Sequence, residues 1–399
     1  MNRYKYLIVG GGMTADAAVR GIRELDPDGS IAVISREPDP PYNRPPLSKG
    51  LWKGRPIKNI WRGTDQKGAE LILGCEITEL DPEGLTVRDR QGESYQGEKL
   101  LLATGGAPRR LPFGGDEIIY YRTVRDYHRL AELSETGADF AVIGGGFIGA
   151  EIAAALAMNG RKVTMLFPEE GIGARIFPPE VGRFLNDYYR EQGVEVLAGE
   201  MVSGLRVDGQ RRVLTTQSGR EVSAAAVVAG IGIRPNVQLA EAAGLELGDG
   251  IRVDDLLRTS RPNIYAAGDV AEFYNPALDV RLRVEHEDNA NSMGRQAGRN
   301  LAGAGEPYHY LPYFYSDLFD LGYEAVGMLD SRLQVIADWQ EPFRKGVLYY
   351  FDKGRVRGVL LWNVWKKIPA ARELIARPGP LRPEDLAGDQ RPEWAIPFD

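Results

Sequence analysis

The sequence predicts an α/β fold: two similar domains, each built on a parallel sheet, followed by a smaller α+β domain. Two observations carry this. A strand–glycine turn–helix–strand pattern occurs twice, and after residue 303 the chain becomes aromatic-rich and alternating. The 399 residues leave room for two to three domains at about 150 residues each. Gly (48) and Pro (25) are abundant but spread over short turns, as a protein of many alternating elements requires.

The first copy runs from Tyr6-Leu7-Ile8-Val9 through Gly10-Gly11-Gly12-Met13-Thr14-Ala15 into an Ala-rich helical stretch, with its second strand at 31–35. The second runs from Phe140-Ala141-Val142-Ile143 through Gly144-Gly145-Gly146-Phe147-Ile148-Gly149 into Ala150-Glu151, with its second strand at 162–167. Around them, 71–90 reads as short strands, 99–103 as an apolar strand ending at Thr104-Gly105-Gly106, and 123–133 as a helix. Segments 224–229 and 263–267 read as buried strands, closed by Gly230-Ile231-Gly232 and Gly268-Asp269. Residues 346–362 alternate like paired strands and 368–376 reads as a short helix. The expected domains are 1–111 with 233–303, then 112–232, then 304–399.

The glycine turns have a chemical purpose. In Gly-x-Gly-x-x-Gly/Ala the first glycine permits the bend and the second lets backbone N–H groups approach a pyrophosphate. The third small residue lets helix and strand pack closely. The helix N-terminus then faces the phosphates with unpaired donors and a favourable dipole. Gly10, Gly12 and Ala15 fit, as do Gly144, Gly146 and Gly149. One copy could be a tight turn without a ligand. Two copies, each between an apolar strand and a helix, point to two Rossmann-like domains and two bound nucleotides.

The acid after the second strand distinguishes the nucleotides. Glu169 lies 25 residues after Gly144, where a carboxylate can accept both ribose hydroxyls and favour NAD(H) over NADP(H), although Arg175 is close by. In the first copy that position holds Arg36 with Glu37 beside it. Glu37 reaches the ribose while Arg36 lies against the adenine, or both are surface charge.

Composition excludes other classes. Lys plus Arg is 49 against 56 for Asp plus Glu, a net charge of −7, which argues against nucleic-acid binding. Cys75 is the one cysteine, so no intramolecular disulfide or CxxC redox pair forms. His128, His286 and His309 are scattered, and no metal site is expected. No apolar run is long enough for a membrane span, the opening segment lacks signal-peptide features, and a cytoplasmic location is expected.

Further segments sharpen the reading: Arg44-Pro45-Pro46-Leu47-Ser48-Lys49, Ala103-Thr104-Gly105, Gly232-Ile233-Arg234-Pro235-Asn236 and Ala267-Gly268-Asp269. With the glycine turns, they resemble the FAD-dependent pyridine-nucleotide-disulfide reductase superfamily in its ferredoxin-reductase-like branch, which has a glutathione-reductase-like fold. Arg283-Val284-Glu285-His286, Tyr315-Ser316-Asp317-Leu318, Gly322-Tyr323-Glu324-Ala325 and Leu361-Trp362-Asn363 are similar to the apoptosis-inducing factor family. Departures from that family are a start without presequence features, no long C-terminal insertion, Tyr315 in place of a tryptophan, and Glu287 in place of a second histidine. The cell-death role is therefore not carried over.

The resemblance implies FAD along Gly10, Gly11, Gly12, Met13, Thr14 and Ala15. Arg36, Glu37, Arg44, Ile77, Ala103, Thr104, Gly105, Arg122 and Asp269 would add contacts. NADH would lie over Gly144, Gly145, Gly146, Phe147, Ile148 and Gly149, with Glu169, Arg175 and Gly232. Glu285, His286, Tyr315, Glu324 and Asn363 would border flavin and nicotinamide. Lys49 and Glu151 would form an ion pair at the flavin, Phe147 would lie over its ring, and His286 could hydrogen-bond flavin or carboxamide.

Two functions compete. One is an NADH:acceptor oxidoreductase that passes electrons to a ferredoxin-like protein or a quinone-like molecule, with Trp365, Lys366, Lys367 and Arg372 as a local basic patch. The other is an NADH-responsive module whose charge-transfer complex alters dimerisation.

Overall fold

The first repeat folds as β1 (Asn2–Val9), α1 (Met13–Arg23) and β2 (Ile31–Ser35). The second folds as β3 (Phe140–Ile143), α2 (Phe147–Met158) and β4 (Val163–Phe167). This is a computed structural model, describing residues 2–388 and 395–398. In each repeat the two strands pair in parallel. β2, β3 and β4 are buried along their whole length, which is why they read as continuous apolar runs and not as alternation.

The chain forms two compact units. The first comprises Met1–Arg44, Ile57–Ala107 and Arg234–Pro312; the second comprises Pro45–Pro56, Pro108–Ile233 and Tyr313–Asp399.

In the first unit the sheet runs Ala69–Leu73, β2, β1, Ser94–Leu102, Thr86–Asp89, Ile77–Asp81, with Ile264–Ala266 also paired to Ser94–Leu102. The expected short strands at 71–90 are therefore three, and the one at 263–267 is Ile264–Ala266. Leu7, Ile8, Val19, Ile22, Met293 and Leu301 are fully buried in the core beneath it. Each such side chain contributes about 1.5–3 kcal/mol by burial. The helix Glu287–Leu301 crosses α1 closely: a Cβ on Gly298 would lie 2.0 Å from the Ala18 carbonyl oxygen.

In the second unit a parallel sheet runs Val194–Ala198, β4, β3, Ala226–Ala229, Ile118–Tyr120. The expected helix at 123–133 is Val124–Glu135, started by a reciprocal cap between Thr123 and Asp126. β5 (Tyr313–Leu318) opens a five-stranded antiparallel sheet that continues through Leu321–Gly327, Arg355–Trp362, Lys345–Asp352 and Gln334–Glu341. Its central hairpin turns at Lys353 and Gly354, both at positive φ (48° and 75°), as a tight two-residue turn requires. The helix Ile368–Ala376 covers this sheet.

Two features are absent from the sequence reading. The antiparallel sheet of Val202–Asp208, Arg211–Thr216 and Glu221–Ala224 is rich in exposed charge, and its strand character comes from cross-strand pairing more than from local pattern. Residues 45–56 contain two short 3₁₀ turns, Pro45–Leu47 and Gly50–Lys53, which present Ser48 and Lys49 between them.

Candidate nucleotide cradles and active-site residues

The first cradle forms where parallel strands end. Gly10 follows β1, Ser35 ends β2, Ala103 follows Ser94–Leu102, and Asp269 lies three residues beyond Ile264–Ala266. Open α/β sheets bind ligands at this edge. Gly10 has φ +116°, and a Cβ there would lie 2.1 Å from the Ala103 carbonyl oxygen. A Cβ on Gly268 would lie 2.2 Å from Thr14 Oγ1, so the turn admits no side chain at either place. Gly12 is the N-cap of α1 with no side-chain cap, and a Cβ there would meet nothing within 4 Å. That open, donor-rich helix start fits a pyrophosphate.

Charge around this cradle is organised. Arg44 donates to Glu37 at 2.5 Å and to the Tyr42 hydroxyl at 2.9 Å, while Tyr42 donates to Glu37 at 2.7 Å. Burial opposes the Arg44 charge, but Tyr42, Glu37 and Asp269 outweigh it and push the guanidinium above its ordinary range. Arg36 is exposed and 3.9 Å from Glu76. Thr104 and Asn236 exchange hydrogen bonds at 2.8 Å, fixing the Ala103–Gly105 turn. Arg283 donates to the Asp269 carbonyl at 3.0 Å and to the Glu285 carboxylate at 2.6 Å. His286 is the N-cap of Glu287–Leu301. Ile77 begins the strand Ile77–Asp81.

The second cradle repeats the geometry. Gly144 has φ +111°, and a Cβ there would lie 2.5 Å from the Gly230 carbonyl oxygen. A Cβ on Gly149 would lie 1.9 Å from the Gly144 carbonyl oxygen, which is the close helix–strand contact that the third glycine serves. Gly146 caps α2 without a side-chain bond and faces open space. Gly173 donates its N–H to Gly145 O at 2.8 Å, and Arg109 donates to Gly232 O at 2.9 Å. Phe147 and Ile148 begin α2, and Ile148 is 37% exposed. Glu169, just beyond β4, lies 3.9 Å from Arg175. Solvent screens that loose pair, which leaves the carboxylate available.

The second unit also holds the expected ion pair. Lys49 Nζ is 2.6 Å from Glu151 Oε1, and the two side chains are 12% and 4% exposed. Ser316 donates to Oε1 and Ser48 to Oε2, each at 2.6 Å. A buried pair survives desolvation only when such bonds satisfy its remaining capacity. Lys49 Nζ lies 5.2 Å over the Tyr315 ring, and Phe147 meets Phe314 edge-on at 5.3 Å. Burial, with the Glu151 charge next, pushes the Tyr189 and Tyr323 phenols well above their ordinary range.

Tyr315 pairs across the sheet with Glu324, whose carboxyl is pushed up by burial and accepts the Lys366 N–H at 3.2 Å. Asn363, at φ +50°, exchanges bonds with the Gly322 backbone at 2.8 Å and donates to Arg344 O at 3.0 Å. The Arg122 N–H is bound to Asp126 at 3.1 Å. Of the residues expected at FAD, Lys49, Arg122 and Tyr315 lie in the second unit and the others in the first. Sequence reasoning missed Ser48 and Ser316 as partners of Glu151. They stood inside quoted motifs, but neighbouring letters do not say which hydroxyl meets which carboxylate. Among the described residues no group of three or more His, Cys, Asp or Glu could hold a metal, and no helix is long and apolar enough to cross a membrane.

Two glycine turns of the same geometry, each opening a helix with no side-chain cap, mark a protein of the dinucleotide-binding class, and the chain has a single cysteine. The family profile described as Pyridine nucleotide-disulphide oxidoreductase matches residues 4–294, and the chain belongs to that family. The profile for the apoptosis-inducing factor C-terminal region, mitochondrion-associated, matches 297–342 and 337–377. The chain is 33% identical over 443 residues to apoptosis-inducing factor 1, mitochondrial, of Dictyostelium discoideum, covering 100% of this chain and 82% of that one. It is 35% identical over 431 residues to monodehydroascorbate reductase 3 of Arabidopsis thaliana, covering 99% and 98%. A crystal structure of the covalent putidaredoxin reductase–putidaredoxin complex superposes with a TM-score of 0.87 at 28% identity, covering 94% and 93%. The protein is an FAD-dependent NAD(P)H oxidoreductase, with FAD and NAD(H) as its cofactors.

Proposed function

We propose that this oxidoreductase takes electrons from NADH and delivers them to a small ferredoxin-like iron–sulfur protein. The observation that carries direct transfer from flavin to an outside acceptor is Cys75: the one cysteine of the chain is buried and hydrogen-bonded to Asp89, so no intramolecular disulfide can relay electrons. Bound FAD supplies the conversion of a two-electron hydride into single electrons for such an acceptor. The chain's residues bind, orient and charge the site. On this reading the first cradle takes FAD and the second NADH, with Glu169 on the adenosine ribose. Phe147 covers the reacting ring, His286 and Asp269 hold polar groups of the flavin, and the Lys49–Glu151 pair stabilises the charge that reduction adds. The domains serve these roles as 1–111 with 233–303 for FAD, 112–232 for NAD(H) and 304–399 as the C-terminal domain.

The likeness to a reductase solved in covalent complex with putidaredoxin supports a ferredoxin-like acceptor. So do the cations Lys366, Lys367 and Arg372, each at least partly exposed and close in sequence to the exposed Trp365, the charge sign that an acidic ferredoxin would meet. We place the protein in the cytoplasm, since its one thiol requires no oxidising compartment. The test is anaerobic rapid mixing with NADH, followed by a [2Fe–2S] ferredoxin or a quinone. Fast, salt-sensitive reoxidation by the ferredoxin supports the assignment; reoxidation by quinone alone overturns it.

The match of the C-terminal region to the apoptosis-inducing factor profile favours a second reading. NADH would then create a long-lived charge-transfer complex that changes homodimerisation. Slow reoxidation by every acceptor, with a long-wavelength band and an NADH-dependent mass change, would favour it.

A further inference from the structure

Glu151 is the acid of the ion pair, yet Lys49 fills only part of its acceptor capacity. With 4% of the side chain exposed, both oxygens depend on donors from the protein. Oε1 takes Lys49 Nζ and the Ser316 hydroxyl, and Oε2 takes the Ser48 hydroxyl, all at 2.6 Å. These are short, charge-assisted contacts of the strong kind. Ser48 is 6% and Ser316 0% exposed, so bulk water offers no substitute. The donors come from separate elements. Ser48 stands beside Lys49 between the two 3₁₀ turns, and Ser316 lies in β5 opposite Tyr323.

We infer that Ser48 and Ser316 are positioning residues of the reductive half-reaction, their hydroxyls drawing charge off Glu151 so that Lys49 keeps N–H groups available beyond the pair. The inference rests on the role of Lys49 and Glu151 given above. A carboxylate that loses a hydroxyl concentrates its charge on the ammonium and holds it more tightly. It also adds negative potential where electrons must be taken up. Both effects slow reduction, and neither acts on NADH binding.

The test compares Ser48→Ala, Ser316→Ala, Glu151→Gln and the Glu151→Gln/Ser316→Ala double variant as holoenzymes. Limiting flavin reduction by NADH is measured by rapid mixing, and the flavin midpoint potential is measured by spectroelectrochemistry. Each serine variant is expected to slow reduction about tenfold and move the potential negative, with the NADH dissociation constant within about twofold of the parent. On the Glu151→Gln background Ser316→Ala should have no further effect, because the hydroxyl acts through the carboxylate. Ser48→Ala tests the same point from another element if Ser316→Ala fails to fold. Unchanged rate and potential in the serine variants, beside a Glu151→Gln that shifts either quantity, would overturn the inference alone. An unaffected Glu151→Gln would overturn the ion-pair reading as well. Additive losses in the double variant, or a lowered melting temperature with unchanged potential, would reduce both serines to structural residues and overturn the inference.

Discussion

The Ala103 carbonyl oxygen stands 2.1 Å from where a Cβ on Gly10 would project, and Gly144 meets the Gly230 carbonyl in the same way at 2.5 Å. Neither obstacle is a flexible side chain, and both glycines have positive φ. Gly10→Ala is therefore expected to give protein purified without its yellow colour, and Gly144→Ala protein that keeps FAD but binds NADH at least about tenfold more weakly. Flavin absorbance and anaerobic NADH titration check the two outcomes.

Lys49 pairs with Glu151 in buried, low-dielectric surroundings, where a fixed charge acts strongly on a reaction that adds electrons. Lys49→Met should slow limiting flavin reduction about 100-fold, with little change in NADH affinity. Stopped-flow reduction kinetics over a range of NADH concentrations separate the two quantities. Unchanged kinetics would remove Lys49 from the reaction.

Glu169 meets its cationic neighbour only loosely, at 3.9 Å. Glu169→Arg should move the NADH/NADPH ratio of kcat/KM toward NADPH by about tenfold or more, since an arginine there welcomes a 2′-phosphate. Steady-state kinetics with both nucleotides measure it, and a constant ratio would place the ribose contact elsewhere.

Asp16 has no exposed side-chain surface and is held by Arg20 at 2.8 Å, Arg62 at 2.6 Å and Thr64 at 2.7 Å. Burial alone would raise its carboxyl, but these donors outweigh burial and hold it below the ordinary 3.8. A carboxyl depressed by folding adds stability above the ordinary value, and that contribution is lost as pH falls through the folded one. Asp16→Asn should cost about 3 kcal/mol at pH 7, because it leaves the largely buried Arg62 without its counter-charge. The gap to the parent should narrow in strong acid, where the parent carboxyl is also neutral. Chemical denaturation at pH 7 and near pH 3 tests both the size and the sign.

Local chain geometry made much of this protein readable. Val9-Gly10 and Ile143-Gly144 are strand-to-turn junctions whose demands are met within a few residues, so the letters alone state them. The same holds for Thr123 and Asp126, the two partners of a helix cap three residues apart. The sheet of Val202–Asp208, Arg211–Thr216 and Glu221–Ala224 was unreadable because its exposed strands carry charges that suit a loop equally well.

Continuous apolar runs and paired glycine turns were enough to dictate an α/β chain with two strand–glycine turn–helix units, since backbone sterics and apolar burial act over short stretches. Folding alone decided that Ser48 and Ser316, 103 and 165 positions from Glu151, would be the hydroxyls that complete its carboxylate. Hydrogen-bond direction and desolvation depend on distances that no run of neighbouring residues encodes.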